Sequence, residues 1–386
     1  MLLDSPILGR GFRPFFLLGA AYSVLNLLIW GGFYAGYITP PTVFSDPVSW
    51  HAHEMIYGFA LAIVAGFLLT AVANWTGCAP ARQLHLAGLC ALWLVGRIVM
   101  NFDLGLPDSA VFITEGAFIP ALAISLSIPL LKSRNKRNFV FLALLTILFS
   151  CDIVFLVTED RTPLTIAVMV IVSMISLVGG RVIPAFTVAA LRRRGEEAFQ
   201  TPQNTLDILA LLSLVLIILA LVFVGTQGLI LAGVAFTSAI IHLLRMRRYH
   251  TQKILNDPMV WILHIGYIWV IAGLFLIGLA GLNILPFSTA LHALTAGAIG
   301  SMTLGMMCRV ALGHTGRNLI ATKATTTSFI LMQTAAFMRV LGPVSLPDHI
   351  NLWIIGSAFL WAACYIIYIF VYVPTLWQPR PDGRPA

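Results

Sequence analysis

Twelve apolar runs, each about 18 to 25 residues long, follow one another through this 386-residue chain with only short polar breaks between them. A helix of that length crosses ~30 Å of hydrocarbon at 1.5 Å per residue. The runs are continuous rather than alternating, which marks bilayer helices and not the strands of a membrane barrel. They fall near 15–37, 54–76, 84–101, 110–131, 138–157, 164–190, 206–224, 226–244, 259–281, 289–312, 326–343 and 349–374. Composition excludes the alternative: 59% of residues are hydrophobic and 10% charged, too few charges to coat a soluble protein of this size, which carries about 25%. The expected fold is an all-α polytopic membrane protein of about twelve transmembrane helices. It forms a single transmembrane domain over 1–386, because the longest inner loop, around 191–205, leaves no room for a soluble one. Kinks are expected at Pro120 and Pro129, and at Pro184.

The net charge of +8 reports topology and not a nucleic-acid partner. With the N-terminus assigned to the cytoplasm, the inner segments hold 18 of the 23 Lys and Arg, Arg161 stands alone in an outer loop, and four arginines lie inside spans. This is the positive-inside pattern. It predicts a multi-pass protein of the cytoplasmic (inner) membrane with both termini cytoplasmic and membrane lipid as its surroundings. Residues 1–14 are too polar for a signal peptide, so the first span is expected to stay as an anchor. The five cysteines are scattered without a CxxC and read as small apolar packing residues.

Ionisable side chains inside a membrane are costly and mark candidate sites. By depth they fall into two sets. Toward the outer face lie His51, His53 and Glu54 at the head of span 2, Arg97, Glu115, Asp152, His292 at the head of span 10, Arg339 and His349. Toward the inner face lie Arg181, Arg309, His242, His264 and His314. The outer set is rich in imidazole and carboxylate, which bind metals and carry protons. For His53 and His292 the residues alone leave two readings, ligation of a metal or cofactor and a hydrogen bond at a helix end. His51 and His53 are two apart and project about 200° from each other on a regular helix, so they do not share a metal there. Arg97, Glu115, Asp152 and Arg339 fit a structural ion-pair set equally well. Below His53 and His292 run Gly58 and Gly66, and Gly297 and Gly305; such rows seat neighbouring helices closely or let a flat macrocycle approach the backbone.

Spans 2 and 10 echo each other without a gap. His53, Gly58, Gly66, Thr76 and Gly77 match His292, Gly297, Gly305, Thr315 and Gly316, always 239 residues apart. Span 6 echoes span 10 more weakly, which suggests three four-helix units.

The stretches GFRPFFLLGA at 11–20, WHAHEMIYGFALAIVAGFLLTAVANWTG at 50–77, GGRVIPAFT at 179–187 and HALTAGAIGSMTLGMMCRVALGHTGR at 292–317 strongly resemble the NnrS family of bacterial membrane proteins. The resemblance covers essentially the whole chain. It implies an inner-membrane protein carrying haem and copper, connected with nitric oxide tolerance or metabolism in denitrifying and related bacteria. A remoter likeness to haem–copper oxidases, with three four-helix arcs, suggests haem b between His53 and His292, its propionates held by Arg97 and Arg339; Arg181 and Arg309 on the inner side are further cofactor-binding candidates, or snorkel to the headgroups. Span 6 lacks a histidine, so the oxidase copper site is not supported. Copper would then use His51, His349 or His264, with Met55 or Met302 as soft ligands. Any turnover would involve nitric oxide or a nitrosyl species and an outside electron donor, with Glu115 or Asp152 handling protons, an oxidoreductase activity that the residues do not decide. The competing reading is a secondary transporter of a small solute, which twelve spans and internal repeats also suit.

Overall fold

The structure, a computed structural model, describes residues 5–384. Fifteen α-helices are joined by short turns, with no strand among the described residues. In order they are α1 (Phe12–Tyr34), α2 (Pro47–His53), α3 (Leu61–Thr76), α4 (Gln83–Val99), α5 (Asp108–Gly116), α6 (Phe118–Lys132), α7 (Val140–Thr158), α8 (Thr162–Arg193), α9 (Asn204–Phe223), α10 (Leu229–Met246), α11 (Pro258–Gly281), α12 (Phe287–His292), α13 (Gly300–His314), α14 (Lys323–Ser345) and α15 (Ile350–Trp377). Every one of the twelve expected spans is occupied by helix. Among the described residues ten helical stretches are long and apolar enough to cross a bilayer. The two that fall short are α4, at 17 residues, and α14, whose first turns (KATTTS) and Gln333 lower its hydropathy.

Two of the prolines sit differently in their helices. Between α5 and α6 the helix is interrupted at Ala117, three residues before Pro120, which has no N–H to give back to the preceding turn. By contrast α8 runs its full 32 residues through Pro184.

The chain divides into two compact units. The first comprises the chain up to Ala167 with Met307–Leu319 and the segment from Tyr365; the second comprises Val168–Met306 with Ile320–Cys364.

The sequence echo marks two copies of one module, the first within the first unit and the second beginning in the second unit. In the first, Pro47 opens α2, which ends at His53; a π-helical turn, Glu54–Ala60, follows and passes into α3. In the second, Pro286 precedes α12, which ends at His292; a π-helical turn, Ala293–Ile299, passes into α13. The π turns begin and end 239 residues apart, the same spacing as the matched residues. Both helices stop at a glycine in the left-handed region, Gly77 at φ 69° and Gly316 at φ 70°, a conformation that costs other residues about 1 kcal/mol or more. The weaker echo in span 6 carries no π turn.

The glycine rows seat the helix that precedes each module. In the first unit α1 packs along α3 and its π turn. A Cβ on Gly58 would strike the Tyr22 ring, and one on Gly66 would lie 3.0 Å from Phe15 and Phe16. In the second unit α11 takes the place of α1: a Cβ on Gly297 would strike the Trp269 indole, and one on Gly305 would lie 2.8 Å from Ile262. These rows are therefore filled by aromatic and branched side chains of a neighbouring helix. Gly297→Ala is expected to cost about 1–3 kcal/mol through overpacking, read as a lower midpoint of thermal unfolding in detergent. Gly233→Ala in exposed helix, where a Cβ meets nothing within 4 Å, is the control that should leave the midpoint unchanged or raise it slightly. Equal midpoints for the two variants would show that the close approach carries no energy.

Candidate functional site

The π turn of the first unit opens on a cluster of buried ionisable side chains. Its position follows from how α2 begins. Asp46 caps the helix, its carboxylate accepting from the Val48 and Ser49 N–H groups at 2.7 and 3.1 Å, and Pro47 occupies the first turn. The helix therefore starts seven residues before the apolar run, and His53 lies nearly two turns inside it. All of the residues that follow belong to the first unit.

His53 is fully buried, and both of its ring nitrogens are engaged. Nδ1 lies 2.8 Å from Glu54 Oε1 and Nε2 lies 3.0 Å from Asp152 Oδ1 of α7. Glu115 Oε1, at the end of α5, stands 3.9 Å from the same Nε2. One donor atom each from His53, Glu115 and Asp152 lies within 4.8 Å of the others, a spacing at which a single metal ion can be held. Two oxygens in this group, Glu115 Oε2 and Asp152 Oδ2, are buried without a hydrogen-bond partner. Phe155 stacks on the imidazole at 5.5 Å, and Phe44 and Tyr57 close two further sides at 5.4 and 4.9 Å.

A second layer holds the first in place. Arg97 of α4 forms ion pairs with both Glu54 and Glu115. Tyr22 of α1 donates its hydroxyl to Glu54 Oε2. The Asn101 amide donates to Tyr22 at 2.9 Å and to Glu54 at 3.1 Å, while its carbonyl oxygen accepts from the Trp50 indole at 3.2 Å. The Trp93 indole donates to Gly58 O at 3.2 Å, which serves a carbonyl of the π turn. Such turns are frequent at functional sites, because the extra residue re-aims the side chains around it.

The charge balance is unequal. Three buried carboxylates, Glu54, Glu115 and Asp152, face one buried arginine. With a neutral His53 the group carries two uncompensated negative charges, a state that low-dielectric surroundings do not tolerate. A bound divalent cation balances it. Protonation is the alternative, with His53 as imidazolium and one carboxyl neutral.

Of the residues predicted from sequence, His53, Arg97, Glu115 and Asp152 come together here. Three differ in role from the expectation. Glu54, expected toward the outer face at the head of span 2, is fully buried beside His53. Arg97, expected to hold haem propionates, is taken by two carboxylates of the chain itself. His53, expected as an axial haem ligand, offers neither nitrogen to a haem iron as it stands, and the rings and carboxylates around it occupy the space of a macrocycle. His51 turns elsewhere, stacking on Trp30 at 4.2 Å with Nδ1 3.3 Å from Asn26 Oδ1, so it and His53 have separate surroundings. Arg309 lies in the part of α13 that belongs to the first unit and is buried.

The other candidates belong to the second unit. His292 is half-buried, with Nδ1 2.6 Å from Ser288 O. His264 is buried with both nitrogens on hydroxyls, Thr187 at 2.8 Å and Thr251 at 2.9 Å, and no carboxylate among these partners. His349 is exposed in a single 3-10 turn, and Arg181 and Arg339 are half-buried on α8 and α14. A residue expected to be a loop cation, Arg245, is instead buried, paired with Asp207 at 2.7 Å and donating to Ser176 O and the Tyr267 hydroxyl at 2.9 Å. Tyr22 and Asn101 were not legible as site residues, since a tyrosine inside a span and an asparagine at a helix end carry no signal of their own.

Fold and site together define a polytopic α-helical membrane protein with a buried histidine–carboxylate cluster at the head of a repeated π-turn module. The chain belongs to the NnrS family: the family model described as NnrS protein matches residues 6–380, nearly the whole chain. None of the curated proteins matches it.

Proposed function

We propose that this chain is a metal-binding protein of the bacterial inner membrane, with cytoplasmic termini, and that it contributes to nitric oxide tolerance or metabolism through redox or gas-binding chemistry near the periplasmic face. The metal site is His53, Glu115 and Asp152. The observation that carries the reading is the convergence of these three donors, whose two carboxylates each keep a buried oxygen without a hydrogen-bond partner, with an excess of buried negative charge. One imidazole and two carboxylates suit a divalent transition metal, and copper in the oxidised state is the choice favoured by the family resemblance.

Copper bound there would supply one-electron chemistry and an open position for nitric oxide. The chain's own groups do the rest. Glu54 holds the Nδ1 proton of His53, which leaves the Nε2 lone pair aimed at Glu115 and Asp152. This carboxylate–histidine–metal arrangement fixes the tautomer and raises ligand basicity. Arg97 pairs with Glu115 and Glu54 and holds them in register. Tyr22 and Asn101 hold the far oxygen of Glu54, and Phe44, Tyr57 and Phe155 exclude water from the imidazole.

Haem at His53 does not fit this geometry, because both ring nitrogens face carboxylates of the chain. The test is a visible spectrum and metal analysis of one sample purified in detergent. Stoichiometric copper without a Soret band supports the site as drawn. Stoichiometric haem whose content falls in His53→Ala would overturn it in favour of axial ligation by that histidine. A colourless, metal-free, folded protein would remove the cofactor reading and return secondary transport as the function to assay.

A further inference from the structure

His53 has no solvent exposure, so a metal ion reaches it only when something moves aside. Most of what encloses the ring is fixed in helices of the first unit. Glu54 and Tyr57 stand on the π turn, Asp152 and Phe155 on α7, and Glu115 at the end of α5. Phe44 differs. It belongs to residues 35–46, the connection from α1 to α2, which carries neither helix nor strand.

That connection is held by few contacts. Tyr37 is 89% exposed, and Thr42 and Ser45 are exposed as well. Phe44 is nevertheless buried, its ring 5.4 Å from the His53 ring and 4.9 Å from that of Phe155. Among the described residues, the backbone from Thr39 to Ser45 makes no hydrogen bond to other backbone groups. The Ser45 N–H instead donates to Glu159 Oε2 at 3.0 Å, on the exposed surface. Glu159 caps α7, the helix that also carries Asp152 and Phe155. One helix thus bears a metal-ligand candidate, the seat of the Phe44 ring and the tie that holds the connection down.

We infer that Phe44 is a movable cover of the His53 site, that the Ser45–Glu159 hydrogen bond is its latch, and that ligands of the site pass beneath it. The positive-inside pattern assigns this connection to the outer face, so a metal ion enters from that side. Opening breaks aromatic contacts of one ring and one exposed hydrogen bond, and leaves every helix-borne partner of His53 in place. Segments held by so few contacts open locally while the rest of the fold stays intact. What passes beneath the cover rests on the metal reading above; the cover itself does not.

The experiment uses the full chain in detergent, stripped of metal, and has two readouts. The first is diethyl pyrocarbonate labelling of His53, measured by peptide mass spectrometry with exposed His85 as the internal standard. The second is uptake of divalent copper, followed by tryptophan fluorescence, and its release to a chelator. Phe44→Ala should speed labelling and uptake on the order of tenfold. Glu159→Ala, which touches an exposed hydrogen bond and no ligand, should speed labelling, uptake and release about threefold and keep the wild-type affinity. A ring that merely packs against His53 would leave uptake unchanged. If Phe44→Ala does not fold, Glu159→Ala decides alone. Labelling or uptake at the wild-type rate overturns the inference. The exception is copper uptake that is also indifferent to Asp152→Asn; the metal reading has then failed, and labelling alone decides whether the cover exists.

Discussion

Asp152→Asn is expected to bind divalent copper at least a hundredfold more weakly than the wild type while remaining folded. The substitution keeps the shape of the side chain and removes the charge of one of three ligands. Losing an outer-layer partner already costs ten- to a hundredfold in metal affinity, and a ligand held 3.0 Å from His53 Nε2 should cost no less. Glu115→Gln should behave alike. Glu54→Gln, which spares the ligands but weakens the hold on the Nδ1 proton, should fall between these variants and the wild type. Equilibrium copper titration of metal-stripped protein in detergent measures all of them. If wild type and Asp152→Asn take up copper equally weakly, the cluster is a structural ion-pair set.

Arg97→Ala should produce the largest loss of stability of any single change at the site, about 3–5 kcal/mol. The arginine is the one cation paired with two buried carboxylates, so its removal leaves both uncompensated in a water-excluded span. Arg97→Lys should recover only part of the loss, because a single ammonium cannot reproduce a planar fork that serves two acceptors. Arg97→Met combined with Glu115→Gln should recover more than either change alone predicts, since it removes charge of both signs together. Chemical unfolding of metal-free protein in detergent reads the differences. A loss below about 1 kcal/mol for Arg97→Ala would place the pair in the range of exposed surface ion pairs and would mean that water reaches the site.

How far the site was legible depends on the residue. His53, Arg97, Glu115 and Asp152 could be picked out one at a time, because an ionisable side chain inside an apolar run is conspicuous whatever it touches. That these four meet was not legible. They lie on α2, α4, α5 and α7, and only the packing of those helices decides which partner each one reaches. The roles changed for the same reason. Arg97 looks equally suited to a propionate and to a carboxylate of the chain, and Glu54 stands at the outer head of the apolar run, where nothing in the sequence shows that it is enclosed. The Asp46–Pro47 cap moves the helix start outward and carries Glu54 into the interior. The sequence echo behaved differently, since a match of residues at fixed spacing entails a match of local structure. The π turns and the left-handed glycines fall at that spacing.

The sequence by itself determined the class of protein, the placing of its apolar helices, the repeated module and the family. These follow from local pattern: run length against bilayer thickness, charge against membrane side, and glycine and proline against backbone geometry. Tertiary structure alone decided which buried charges face each other, that His53 has carboxylates on both nitrogens, that α1 and α11 fill the glycine rows, and that Arg13 is buried against the carbonyls at the end of α15. Electrostatic partners in a membrane are chosen by distance in space across several helices, and the linear order of residues carries no record of that distance.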